Sequence, residues 1–230
     1  MIMRHSQDEI FGASEGDNYF VRNKAALEGF DPEQDLPLSL MRLYSLRPRA
    51  VVEIGAANGF RLAAIVHHYG ARAIGVDPSA EAIENGRRRF PQVEFLQATA
   101  ANIPLQEAFD LVIVNFVLHW IDRRTLLRSV AEIDRLVSDS GFLLVGDFAP
   151  NNLLRVPYHH LVREQMYTYK QDYSAVFVTS GLYHMVATLK SSHGSPSLSA
   201  VVSENERIGV WLLQKHLQEH YLKSLRQDLR

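Results

Sequence analysis

Between Val51 and Phe60 the chain reads Val-Val-Glu-Ile-Gly-Ala-Ala-Asn-Gly-Phe, and this stretch restricts the possible folds more than any other. An apolar run ends beside an acid, two glycines bracket a tight turn, and Leu62, Ile65, Val66 and Tyr69 follow at helical spacing. That is a buried strand feeding a loop whose backbone must approach a ligand closely. In an open α/β sheet this first crossover lies at the carboxyl edge of the strands, where such folds bind nucleotides. The glycine spacing narrows the ligand. A dinucleotide fingerprint needs glycine at its first, third and sixth positions, which here hold Gly55, Ala57 and Phe60, with the second glycine at Gly59. No lysine followed by serine or threonine comes next, so a phosphate-gripping P-loop is excluded. A loop without a pyrophosphate cradle, with Glu53 beside it, suits a ligand carrying positive charge.

The segments that follow repeat the strand–helix pattern. Val51–Ile54, Ala73–Val76, Val93–Gln97, Phe109–Val114 and Phe142–Val145 read as strands. Helices are expected over Gly59–Tyr69, Ser79–Arg89 and about Asp122–Leu136. Continuous Val/Ile/Leu strands alternating with helices imply a parallel sheet covered on both faces, and right-handed crossovers make this a three-layer α/β sandwich. Tyr183–Leu189 and Arg207–Leu213 lack a helix between them and are expected to pair antiparallel at the sheet edge, closing a seven-stranded, mostly parallel sheet. The expected organisation is one domain: an N-terminal helical lid (1–48), a ligand-binding core (49–147), a cap insertion (148–181), the closing strand pair (182–214) and a C-terminal helix (215–230). In the lid, Asp17 is expected to cap a helix over residues 18–27, with a second helix from Pro37 to Leu46.

Composition bounds the partners. With 24 basic and 26 acidic residues in 230, the chain carries no electrostatic footprint for nucleic acid or an anionic membrane. The absence of cysteine removes disulfides and thiolate metal sites and fits a reducing compartment. No run approaches the length of a membrane span, and Met1–Glu9 has no apolar core of a signal peptide. The expectation is a cytoplasmic protein, a monomer or homodimer. His216 and His220 share a helical face but lack the acid of a zinc-binding H-E-x-x-H, so no metal is expected.

The sequence Glu53-x-Gly55-x-x-x-Gly59, with the acid ending the second strand (Asp77) and the later strand ends, resembles the class I S-adenosylmethionine-dependent methyltransferases. The resemblance covers residues 50 to 147 firmly and the ends loosely, and implies a Rossmann-like fold with S-adenosylmethionine as cofactor and S-adenosylhomocysteine as product. Glu53, Gly55, Ala56, Ala57 and Gly59 then form the first cofactor loop. Asp77 is placed to accept from the ribose hydroxyls, with Pro78 and Ser79 along the adenine edge. Thr99 falls where the family usually has an acid for the adenine amino group, with Ala100 next to it in the same cofactor element; a hydroxyl there makes a weaker contact. Asn115 and Phe116 end the fourth strand beside the reacting methyl. In the leader, Tyr19 is expected to pack on the cofactor chain and Arg22 to pair with its carboxylate, against the alternative of a solvated arginine.

Candidates for deprotonating an acceptor are His119, on the loop after Phe109–Val114, and His159, His160 and Tyr167 in the expected helical cap, where Asp172 also lies. Packed, hydrogen-bonded residues are the competing explanation for all of them. The implied activity is in-line methyl transfer to an O, N or C atom of a small-molecule acceptor. The alternatives are a non-catalytic domain binding S-adenosylmethionine or S-adenosylhomocysteine, and a nicotinamide-dependent reductase, which Ala57 and Phe60 disfavour.

Overall fold

The structure is a computed structural model and describes residues 6–161, 166–195, 197–199 and 202–217. Its centre is a seven-stranded sheet in the order β3-β2-β1-β4-β5-β9-β8. The strands are β1 (Ala50–Ile54), β2 (Arg72–Asp77), β3 (Glu94–Gln97), β4 (Phe109–Asn115), β5 (Val137–Phe148), β8 (Tyr183–Ser192) and β9 (Arg207–Lys215). The first five run parallel; β9 pairs antiparallel with β5, and β8 antiparallel with β9. The chain enters at the centre of the sheet, works outward to β3, and returns to β4. The carboxyl ends of β1 and β4 therefore adjoin at the point where the strand order reverses.

Strand alternation sorts the apolar residues into two cores. Val52, Ile54, Val112, Val114, Leu143 and Val145 point to one face, with Ile133 and Leu136 of α6 (Leu126–Leu136) and Phe177 of α7 (Ser174–Val178). Val51, Leu111, Ile113 and Leu144 point to the other, against α3 (Leu36–Leu43), α4 (Phe60–Tyr69) and α5 (Ala80–Arg89). Burial on both faces is why these strands read as unbroken apolar runs. Glycines mark the ends of α4: Gly59 precedes it at φ 77°, and Gly70 at φ 67° stops it, its N–H donating to the Val66 carbonyl. Ser79 caps α5 by accepting from the Ala82 N–H.

Four local expectations are corrected. The leader helix does not begin at residue 18. One helical run extends through α1 (Gln7–Ile10) to α2 (Gly16–Glu28), widened over Phe11–Glu15, where the Gly16 N–H reaches the Phe11 carbonyl five residues back. Asp17 consequently caps no helix of its own. Its carboxylate accepts from the Ser79 hydroxyl (2.6 Å) and the Glu81 N–H (3.1 Å), tying the leader to the start of α5. The helix expected from Pro37 starts one residue earlier, capped by Asp35 accepting from the Leu38 N–H, and ends at Leu43. The helix expected from Asp122 starts at Leu126, because the Asp122 carboxylate holds a turn by accepting from the Arg124 N–H.

The expected helical cap is a hairpin instead: β6 (Leu154–Pro157) pairs antiparallel with β7 (Tyr167–Lys170). Its alternating Tyr167-Thr168-Tyr169 pattern is a strand pattern, and Asp172 accepts from the N–H and hydroxyl of Ser174, the first residue of α7. The C-terminal helix expected from residue 215 conflicts with β9 as far as Lys215 and otherwise falls mostly outside the described residues, as does His220. No described helix is long and apolar enough to cross a membrane.

Candidate active site

A cavity of about 600 Å³ opens over the carboxyl ends of β1, β2 and β4 and runs beneath the leader helix to the β6–β7 hairpin. That volume is in the range of small-molecule sites. At the sheet end it is lined by Gly55, Ala57, Asp77, Pro78, Thr99 and Ala100. Gly55 holds φ 74°, and a Cβ there would lie 2.2 Å from the Val117 Cγ2, so the turn admits only glycine. Ala57 is itself left-handed at φ 48°, and its N–H donates to the Asp77 Oδ2 at 2.8 Å. Asp77 Oδ1 accepts from the Ser79 N–H at 2.9 Å, so one buried carboxylate joins the first loop to the second. Burial pushes this carboxyl up to about 6 against the opposing pull of those two N–H donors. The remaining lone pairs are free for a ligand's hydroxyl groups. Phe116, at the end of β4, is a second non-glycine residue in the left-handed region (φ 56°) facing the cavity. Strain of this kind collects at ligand sites.

Glu53 does not line the cavity. It is buried against the Arg61 guanidinium, which also binds Asp35 at 2.8 Å, so the acid faces an internal cation rather than a ligand. Burial, partly offset by Arg61, raises the Glu53 carboxyl to about 7. Ala56 and Gly59 shape the loop from outside the lining. Ser79 is likewise outside, occupied by α5 and Asp17. Tyr19 lines the cavity; burial and, secondarily, the nearby Asp77 hold its phenol proton more tightly than usual. Arg22 does not line it: its Nη2 donates to Glu15 and to the Tyr158 hydroxyl (2.9 Å). Asn115 lines the cavity, but its Oδ1 is folded over Gly146, buried without a hydrogen-bond partner among the described residues.

The acceptor-side candidates separate. His119, His159 and His160 all line the cavity, whereas Tyr167 does not. The Tyr167 backbone is bound at both its N–H and its carbonyl by the Gln7 side chain, and its ring carries Arg155 at 4.7 Å. His159 and His160 sit in a turn with ring centroids 3.9 Å apart, not splayed on a helix. Desolvation, then Arg22, lowers His160 from its ordinary value.

His119 is buried, with Asp147 Oδ1 2.8 Å from its Nδ1, although without the alignment of a formed hydrogen bond. Asp147 Oδ2 also accepts from the His119 N–H at 3.2 Å. The imidazole lies among Phe116, Trp120 and Phe148. Sequence reasoning missed Asp147, although the signal was present: like Asp77 it is an acid near the end of an apolar parallel strand. It also missed Lys170, His193, Asn205 and Glu206, which line the far wall. These come from antiparallel segments that no periodicity connects to the core.

The fold and this site define a nucleotide-type α/β enzyme domain, and residues 51–141 match a family model described as a methyltransferase domain. That match, together with the methyltransferase relatives, supports a class I S-adenosylmethionine-dependent methyltransferase. It is 33% identical over 145 residues to the trans-aconitate 2-methyltransferase of Methylobacterium radiotolerans, covering 61% of this chain and 54% of that one. The chain thus spans about half the length of that relative. The trans-aconitate 2-methyltransferase of Acidovorax ebreus is 27% identical over 207 residues, covering 81% and 78%. Among solved structures, the 1,6-didemethyltoxoflavin-N1-methyltransferase of Burkholderia thailandensis, with its acceptor and S-adenosylhomocysteine bound, superposes with a TM-score of 0.69. Its identity is 14%, covering 94% of this chain and 93% of that one, which is a likeness of fold.

Proposed function

We propose that this chain transfers the methyl group of S-adenosylmethionine to a small-molecule acceptor. The observation that carries the reading is one continuous cavity joining the Gly55–Asp77 end of the sheet to the His119 end. The residues present fit the cofactor: a glycine turn without a pyrophosphate cradle, a buried carboxylate with free lone pairs, and a backbone strained toward the cavity at Ala57 and Phe116. When bound, S-adenosylmethionine supplies a sulfonium methyl already activated for displacement.

The protein's share is placement. Asp77 holds the ribose, Pro78, Thr99 and Ala100 flank the adenine, and Tyr19 covers the ligand from the leader. Asn115 and Phe116 border the methyl. Alignment of this kind is worth about 7–11 kcal/mol in favourable cases. His119 takes the acceptor's proton where the acceptor must lose one. Asp147 beside Nδ1 favours the tautomer with its lone pair on Nε2 and stabilises the imidazolium that forms. Loose catalytic hydrogen bonds tighten when ligands bind. His159 and His160 border the acceptor end, and Tyr167 supports the hairpin from behind.

Calorimetric titration with S-adenosylmethionine, S-adenosylhomocysteine and NADH tests the cofactor. Micromolar binding of the first two, abolished by Asp77→Ala, is expected; binding of NADH alone refutes the reading. Acceptors are then screened by methyl transfer. The relatives' names suggest two starting classes: an aliphatic polycarboxylate such as trans-aconitate, and a ring-nitrogen heterocycle such as didemethyltoxoflavin.

A further inference from the structure

Among the described residues, Arg61 and Lys170 are the permanent cations that line the cavity, and their situations differ. Arg61 is held by two carboxylates, Asp35 and Glu53. Lys170, at the end of β7, is buried and makes no ion pair among the described residues. Its ammonium donates to the Asn205 backbone carbonyl (2.6 Å) and side-chain Oδ1 (2.9 Å), both neutral acceptors, and stands 3.7 Å from the centroid of the Phe148 ring. An ammonium has three protons, so one remains. Glu206 and Asp147 attract the ammonium from beyond ion-pair distance, and each also contacts other groups: Asp147 with His119, and Glu206 with His193 (3.8 Å) and the Asn205 amide (3.2 Å). A buried charge is costly unless it is closely paired, and Lys170 lines the cavity, where a ligand can supply that pairing. Phe148 places that point within the same aromatic wall as His119, 5.2 Å from the Phe148 ring. Asn205 and the Phe148 ring fix the ammonium before any ligand arrives, so little side-chain entropy is lost on binding.

We propose that Lys170 is the anion-recognising group of the acceptor site, and that the acceptor carries a carboxylate which docks on Lys170 and presents its reacting atom toward His119. This rests on the methyltransferase reading of the cavity. Desolvation lowers the Lys170 ammonium from its ordinary value, and an incoming carboxylate would raise it again.

Two titrations keep the proposal and its foundation separable. Failure of the wild-type protein to bind S-adenosylhomocysteine would mean that the cofactor reading is wrong. With S-adenosylhomocysteine bound, trans-aconitate, benzoate and inorganic phosphate are titrated against wild type, Lys170→Met and Lys170→Arg. At least one carboxylate should bind wild type and weaken tenfold or more in Lys170→Met. The arginine variant should recover part of the affinity, with S-adenosylhomocysteine affinity unchanged within twofold in both. A purely structural clamp on Asn205 would lower the melting temperature without this selectivity for anions. If Lys170→Met does not fold, Lys170→Gln replaces it. The proposal is overturned if no carboxylate binds, if phosphate alone binds, or if the neutral variant binds carboxylates as well as wild type does.

Discussion

Replacing Asp77 by asparagine should separate ligand binding from stability. The carboxyl is buried and raised to about 6 from an ordinary 3.8. At about 1.4 kcal/mol per pKa unit, ionised Asp77 costs the folded protein about 3 kcal/mol at pH 7. The sign follows from the raised folded pKa: the native state holds its proton more tightly. Its contribution is therefore fully favourable below about pH 4 and is lost as pH rises through about 6. Asparagine removes that cost but creates another. Both carboxylate oxygens accept backbone N–H groups, from Ala57 and Ser79, so the new amide must turn its own N–H toward one of them. An unsatisfied buried donor costs about 1–3 kcal/mol. The two effects nearly cancel, so the melting temperature of the ligand-free variant at pH 7 should stay close to wild type.

Ligand binding has no such compensation. A hydrogen bond to a charged acceptor is worth about 1.5–3 kcal/mol, so S-adenosylhomocysteine should bind roughly 10–150-fold more weakly to Asp77→Asn. Wild-type affinity should also fall as pH drops below about 6, while the variant stays flat from pH 5 to 7. Calorimetry across that range reads both. An asparagine variant that binds within threefold of wild type, together with a flat wild-type profile, would refute the reasoning.

His119→Asn and Asp147→Asn should each lower kcat about 10²–10⁴-fold for an acceptor that must lose a proton, with S-adenosylmethionine affinity unchanged by calorimetry. Equal losses in kcat and in cofactor affinity would count against a base. Arg61→Met leaves Glu53 and Asp35 buried without their cation and should destabilise by about 3–5 kcal/mol in urea. Because Glu53 takes up a proton near pH 7, that loss should grow between pH 5 and pH 8. Gly55→Ala forces a Cβ to 2.2 Å from Val117 at a left-handed φ; it should cost about 1–3 kcal/mol of stability and abolish S-adenosylhomocysteine binding.

The sheet was legible because its central strands are buried on both faces. Val51–Ile54, Phe109–Val114 and Phe142–Val145 are apolar except for Glu53 and Asp110, and Gly59, Gly70 and Ser79 carry the backbone requirements of helix ends in their identities. The leader was misread for the opposite reason. Gly16 and Asp17 look like a turn and a cap, yet the helix runs through them, because Asp17 finds its N–H and hydroxyl donors on α5 rather than on its own helix. A capping residue announces that it will satisfy some donor; it does not say whose. Glu53 was misassigned in the same way. An acid at a strand end beside a ligand loop can serve the ligand or a cation beneath it, and Arg61, the second residue of α4, decided for the second.

The two ends of the cavity therefore differ in how far sequence alone can define them. The Gly55–Asp77 end is built from the loops that directly follow β1 and β2, so Gly55, Ala57, Asp77 and Pro78, read from strand-end spacing, do line the cavity. The acceptor end is built by convergence. Lys170 arrives on a hairpin, Asn205 precedes an antiparallel strand, and His119 follows β4; only the closure of β9 onto β5 and the folding of β7 against the 118–120 turn bring them together. Asp147 lies between these cases. Its position at a strand end was readable, but its pairing with His119 depends on β5 lying beside β4, where Asn115 and Gly146 are in register. If Lys170 holds the acceptor as proposed, specificity depends on contacts between segments distant in sequence, and a single change at Lys170 or Asn205 should alter the acceptor while the Gly55–Asp77 loop stays intact.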